Sequence, residues 1–199
     1  MLKVRQLIPP LTARTSHGQT VQAWDYKQKK SLVIAFLHAG CARCEEWVGW
    51  LSQHAAEMAE CDAVALVILP AMSLPVGASR GLGTPLQSVI HVAADVSGRS
   101  QCAFLGSDGP GAERPASLGV FVTDRYGELH AQWLAQSEDG LPPIRDVLSW
   151  LSQIQVACEE CGAPHSSQAT WTWESQLKTS RIGGSPSSLF ASHCACNSP

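Results

Sequence analysis

The stretch Ser31-Leu-Val-Ile-Ala-Phe-Leu-His-Ala-Gly-Cys41-Ala-Arg-Cys44 constrains this chain more than any other: an apolar, strand-like run stops at a glycine and a Cys-x-x-Cys opens a helix. After it, Trp47, Val48, Leu51, Ala55 and Met58 recur at helical spacing, which predicts a helix over about 42–59 with one face to bury. A thiol at a helix N-terminus meets unpaired backbone N–H groups and the positive end of the macrodipole, and both favour a thiolate. Arg43 adds a cation beside the pair. His38, three positions before Cys41, suits either a thiolate-stabilising role or a backbone hydrogen bond at a strand end. Glu45 and Glu46 fit the first helical turn but oppose a nearby thiolate. The same Cys-x-x-Cys spacing makes half of a zinc site, yet a strand before it and a helix after it favour redox chemistry. Trp47 follows the apolar stripe, and Trp50 is read as core or as cover for the thiols.

Composition narrows the partners. With 45% hydrophobic residues and no apolar run near the length of a membrane span, the chain reads as a globular domain plus a remainder. A net charge of −3 offers no basic stripe for nucleic acid and no polybasic membrane anchor. Met1–Pro10 lacks a signal peptide's apolar core, which gives a cytoplasmic expectation. In that compartment eight cysteines point to redox or metal chemistry rather than structural cross-links.

Along the chain, Leu11–Arg14, a His17-Gly18 turn and Val21–Trp24 read as a hairpin leading to the strand at 31–37. Cys61–Pro70 is a continuous apolar, β-branched run of the kind found in sheets covered on both faces, completing a β-α-β unit. Segment 71–86 is rich in glycine and proline and admits only a short or irregular helix. Val89–Asp95 reads as a strand, Gly98–Leu105 as a short helix and 106–116 as a glycine-rich loop. Leu118–Thr123 and Glu128–Trp133 flank a turn at Asp124-Arg-Tyr-Gly127. Pro142-Pro143 starts a helix whose Ile144, Val147, Leu148, Leu151 and Ile154 form one stripe ending near Cys158. The expected division is a folded domain over 1–162 and a Ser/Thr/Gly-rich, disordered tail over 163–199.

This order of elements resembles the thioredoxin-like superfamily in its peroxiredoxin or redoxin form, the alkyl hydroperoxide reductase and thiol-specific antioxidant type. The closest local matches are Leu32–His38, His91–Gly98 and Phe121–Leu129. The resemblance implies an α/β fold with a central mixed sheet flanked by helices, an N-terminal hairpin and a mobile C-terminal tail. It places Cys44 at the peroxidatic position of a Pro-x-x-x-Thr-x-x-Cys loop, with Leu37 replacing the proline and Cys41 the threonine, so the peroxide-orienting hydroxyl is missing. The family arginine before the hairpin falls near Ser117-Leu118, with Arg114 as a substitute from the loop. The cis-proline of thioredoxins falls at Leu118, with Pro115 the nearest proline.

Cys158-Glu-Glu-Cys161 repeats the Cys-x-x-Cys spacing beyond the last helix. A helix of roughly 14 residues carries it about 20 Å from the first pair, so it acts in a partner subunit, binds metal or forms its own disulfide. Cys194 and Cys196, in the tail, lie within reach of either pair through a coil spanning about 30 Å. With Cys158 and Cys161 they would make a four-thiolate zinc site, the alternative to incidental thiols. Cys61 and Cys102 read as buried small hydrophobes.

The expectation is a thiol–disulfide oxidoreductase using Cys41 and Cys44, supported by His38, Arg43, Trp47 and Leu118 and needing no organic cofactor. Its substrate would be a protein or small-molecule disulfide or a peroxide, and a cellular dithiol would be its reductant. A homodimer is left open. The alternatives are a peroxiredoxin-like peroxidase and a non-catalytic zinc-binding or redox-sensing module.

Overall fold

Two apolar runs, Ser31–Phe36 and Ala63–Pro70, lie side by side as parallel strands, with Leu32 opposite Val64 and Phe36 opposite Ile68. Alternate residues of each run enter different cores. Leu32, Ile34, Phe36, Val64, Leu66 and Ile68 face one side; Val33, Ala35, Ala63, Ala65 and Val67 face the other. Strands apolar on both faces need cover on both, and the remaining elements supply it.

The computed structural model of the chain describes residues 2–15, 18–70, 89–106 and 116–156. In chain order its elements are β1 (Thr12–Thr15), β2 (Thr20–Gln22), β3 (Ser31–Phe36), α1 (Ala42–Gln53), α2 (Ala55–Glu60), β4 (Ala63–Pro70), β5 (Ile90–Asp95), α3 (Arg99–Leu105), β6 (Leu118–Thr123), β7 (Leu129–Ala135) and α4 (Ile144–Val156). Short 3-10 turns stand at Ala23–Tyr26 and Glu138–Gly140. The seven strands form one mixed sheet, ordered β2-β1-β5-β4-β3-β6-β7. β3, β4 and β5 are mutually parallel, and β1, β2, β6 and β7 join antiparallel. α1, α2 and α4 cover one face. α3 and residues around Ile8 and Leu11 cover the other, where Phe36, Phe104 and Phe121 meet with ring centroids 5.1–6.1 Å apart. Gly119 leaves room there for the Leu105 side chain, which would have to shift from a Cβ standing 2.6 Å away.

Several boundaries differ from the expected ones. The helix over 42–59 is two helices, broken at His54 without any proline or glycine. The His54 N–H is shared between the Trp50 and Leu51 carbonyls, and its ring Nδ1 lies 2.8 Å from the Trp50 oxygen. The side chain thus occupies a carbonyl that continues the helix elsewhere. Trp47, Leu51, Ala55 and Met58 are buried across both pieces, while Val48 is only half-buried. Trp24 sits in a 3-10 turn rather than in the hairpin strand, and β7 continues to Ala135.

Cys61 is a free thiol in the turn before β4, half-buried and packed against the edge of the core rather than enclosed within it. Cys102 is buried on α3 as expected but is disulfide-bonded rather than a plain packed thiol. Residues 2–8 bind the β6–β7 hairpin, a contact the sequence did not suggest. Arg5 N–H donates to the Leu129 carbonyl at 2.7 Å, Leu129 N–H to that of Gln6 at 2.8 Å, and the Arg5 guanidinium meets Glu128 at 2.7 Å.

Segment 71–86, the interior of loop 106–116, the second cysteine pair, the tail and the 162/163 boundary lie outside the described residues. Among the described residues no helix is long and apolar enough to cross a membrane.

Candidate functional site

β3 ends at Phe36, and Leu37 stays buried before the chain surfaces at Ala39 and Gly40. Gly40 takes φ +69°, a left-handed conformation that suits glycine. This turn delivers Cys41 as the extended N-cap of α1, with φ −92° and ψ 114°. A cysteine is an unusual cap, and here it functions as one: the Cys41 sulfur accepts the Cys44 N–H at 3.1 Å. That bond gives the N-terminus of α1 a side-chain cap.

The two thiols differ sharply. Cys41 is half-buried and packs against the edge of the core cluster that includes Leu118, Trp47 and Leu141, whereas Cys44, 2% exposed, lies inside it. Burial pushes the Cys44 thiol from its ordinary 9.0 up to about 12, helped by its hydrogen bond to Cys41 and by the negative charges of Cys41 and Glu138. The His38 main chain opposes this with a hydrogen bond to the sulfur that favours the thiolate. His38 therefore reaches Cys44 through its backbone, and its side chain is half-exposed at the end of the strand.

Arg43, the cation expected beside the thiols, has partners of its own. Its guanidinium binds Glu46 at 2.7 Å and lies 4.6 Å over the Trp50 ring, so it is engaged along the outer side of α1. Trp47 is fully buried, and its indole N–H donates to the Pro142 carbonyl at 2.8 Å. This bond pins the segment between β7 and α4 against α1. Leu118 is completely buried at the start of β6, and its backbone carries no cis peptide. Arg114 and Pro115 lie outside the described residues, as do Cys158, Cys161, Cys194 and Cys196. Among the described residues no group of three or more His, Cys, Asp or Glu is arranged to hold a metal ion.

Sequence reasoning missed Glu138 and Pro142. Both approach α1 across a large separation, 95 residues for the Trp47–Pro142 bond, and no local pattern announces such a contact. The one available signal was the buried indole of Trp47, whose N–H needs an acceptor.

No family model matches the chain, and no curated protein matches it. Solved structures do. Yeast mitochondrial 1-Cys peroxiredoxin superposes with a TM-score of 0.61 at 14% identity over 78% of each chain. Peroxidoxin BcpB from Mycobacterium tuberculosis gives 0.61 at 16% identity over 77% of this chain and 99% of its own. A Chlorobium tepidum protein assigned as the thiol:disulfide interchange protein DsbE gives 0.53 at 16% identity over 76% and 99%. The fold is thioredoxin-like.

Within this thioredoxin-like sheet, the Cys-x-x-Cys stands at the carboxyl end of β3, between parallel β4 and antiparallel β6. The buried thiol also predicts a pH response of the fold. In the native state Cys44 keeps its proton up to about 12, and Tyr26, also raised mainly by burial and then by Asp25, keeps its own from 10.0 up to about 12. Unfolded chains release both protons earlier, so stability is fully present below pH 9 and declines as pH rises towards 12. Chemical denaturation at a series of pH values should show this fall, with Cys44→Ala flattening its onset. An onset unchanged by Cys44→Ala would place the cause in other groups.

Proposed function

We propose that this chain is a thiol–disulfide oxidoreductase of redoxin type in which Cys41 attacks and Cys44 resolves. The observation that carries this reading is the asymmetry of the pair: a half-buried, N–H-capped sulfur at Cys41 beside a fully buried thiol at Cys44. The Cys41 thiolate attacks one sulfur of a substrate disulfide, forming a mixed disulfide and expelling the other sulfur as a thiolate. Cys44 then attacks the Cys41 sulfur and releases the second substrate thiol. The substrate gains two electrons, the Cys41–Cys44 disulfide forms, and a dithiol reductant restores the pair. The chemistry needs no organic cofactor.

A peroxiredoxin-like peroxidase is the second reading, since peroxiredoxins stand beside disulfide-exchange proteins among the structures that share this fold. It is weakened by the site itself. The thiol at the peroxidatic position is Cys44, which is 2% exposed, and a cysteine stands where the family has its peroxide-orienting threonine.

A side-by-side assay separates the two. With the same preparation and a dithiol reductant in excess, disulfide reduction is expected to exceed peroxide consumption by at least about tenfold, with a Cys41–Cys44 disulfide recovered after acid quench. Peroxide turnover with sulfenic acid trapped at Cys44 would overturn the disulfide reading.

A further inference from the structure

We propose that Cys61 and Cys158-Glu-Glu-Cys161 form a second thiol–disulfide site, at the pole of the sheet opposite Cys41 and Cys44, where a small-molecule disulfide oxidises Cys61 and one thiol of the pair to a cross-link. The site does not depend on the roles proposed for Cys41 and Cys44.

Its described half lies where α2 meets the far end of α4. Cys61 caps α2 and precedes the turn into β4. The Cys61 Sγ stands 3.8 Å from the Ser152 hydroxyl, and the Gln155 side-chain amide donates to the Glu60 carbonyl at 2.7 Å. Two contacts one helical turn apart thus hold the end of α4 against the Glu60–Cys61 backbone and thiol. Cys61 is free and half-buried at the edge of the core, and the charge of its neighbour Asp62 is met by Lys30 at 2.7 Å.

Chain connectivity brings the second Cys-x-x-Cys to the same place. α4 ends at Val156, and Cys158 follows two residues later, three beyond Gln155. A residue adds at most about 3.6 Å of reach, so in any conformation the Cys158 Cα lies within about 7 Å of the Val156 Cα. A disulfide needs Cα atoms roughly 5.5–6 Å apart, and this tether permits that separation between residues 61 and 158. A tether so short also raises the effective concentration of one thiol at the other to the millimolar range.

The other cysteines do not compete. Cys41 and Cys44 follow the carboxyl end of β3, whereas Cys61 precedes Ala63, which pairs with Ser31 at the opposite end; the strand between spans roughly 20 Å. Cys102 is already bonded, on the other face of the sheet. Cys194 and Cys196 stand more than thirty residues beyond Cys161 in sequence.

With glutathione disulfide as oxidant, one of the two protein thiols attacks as the thiolate, forming a mixed disulfide and expelling one glutathione thiolate. The second protein thiol, also as the thiolate, attacks the protein sulfur of that mixed disulfide and expels the other glutathione. The two departing thiolates take up the two protons released. Two electrons pass from the protein to one glutathione disulfide, and a dithiol reductant reverses the reaction.

The full chain, reduced and then freed of reductant, is incubated with glutathione disulfide beside Cys61→Ser, quenched in acid, alkylated and mapped by peptide fragmentation. The expected result is Cys61 joined to Cys158 or Cys161 in most wild-type chains. The cross-link closes a loop of nearly a hundred residues, so oxidised wild type should unfold at least about 5 °C above oxidised Cys61→Ser, while the reduced proteins unfold together. Oxidised chains in which Cys61 is still alkylated, whether Cys158 and Cys161 are joined to each other or to Cys102, Cys194 or Cys196, overturn the inference. So does stoichiometric zinc in the reduced protein that shields Cys61 from oxidation, which would make these thiols metal ligands. The same map reads Cys41–Cys44 separately, and its absence counts against the oxidoreductase reading alone.

Discussion

Cys41→Ser is expected to reduce disulfide turnover to background, a loss of about three orders of magnitude or more, because in the proposed mechanism it removes the attacking sulfur itself. Serine keeps the N-cap, since its oxygen can accept the Cys44 N–H as the sulfur does at 3.1 Å, so the fold survives and the loss is chemical. Cys44→Ser should behave differently. Cys41 still attacks, but the mixed disulfide then persists and can be isolated as a covalent adduct. The difference in exposure also predicts that iodoacetamide modifies Cys41 in the Cys44→Ser protein much faster than Cys44 in the Cys41→Ser protein at neutral pH. A stable adduct on Cys44, or faster alkylation there, would reverse the assigned roles.

Trp47→Ala is expected to cost about 3–5 kcal/mol, the range for deleting a large buried aromatic side chain. Trp47 is completely buried in the cluster that contains Cys44, Leu118 and Val147, and its indole N–H is bonded to the Pro142 carbonyl. Trp47→Phe keeps most of the apolar volume but leaves that carbonyl without its donor, which should cost about 1–3 kcal/mol. Thermal or urea denaturation measures both. Losing the clamp should also expose Cys44, so the alanine variant should alkylate there more readily than the wild type. A loss below about 1 kcal/mol for Trp47→Ala would mean that the cluster closes around the gap without the indole.

The strands that carry the site were legible because their residues leave few alternatives. Ser31–Phe36 and Ala63–Pro70 are apolar, partly β-branched runs of strand length, and such runs suit the middle of a sheet covered on both sides. Gly40 before Cys41 and the stripe from Trp47 to Met58 made the strand-to-helix corner readable as well. The break at His54 was not readable, since it depends on a ring nitrogen meeting a carbonyl in three dimensions. The partners of Arg43 were not readable for a similar reason. Its neighbours in sequence are the cysteines, but helical spacing pairs it with Glu46 and carries its guanidinium over Trp50. Glu138 and Pro142 escaped notice because contacts between distant segments leave no periodic trace.

The attachment of residues 2–8 to the β6–β7 hairpin has a consequence for how the sheet is completed. β7 is an edge strand, and exposed edges invite pairing with other chains. Here part of that edge is covered by a segment made far earlier, with Leu2 and Gln132 joined across 130 residues at 2.8 Å. During synthesis that early segment waits without its partner until the hairpin has emerged, and closure of this large loop comes late and slowly. The hairpin edge is therefore at its most adhesive in the interval between its own formation and the arrival of residues 2–8.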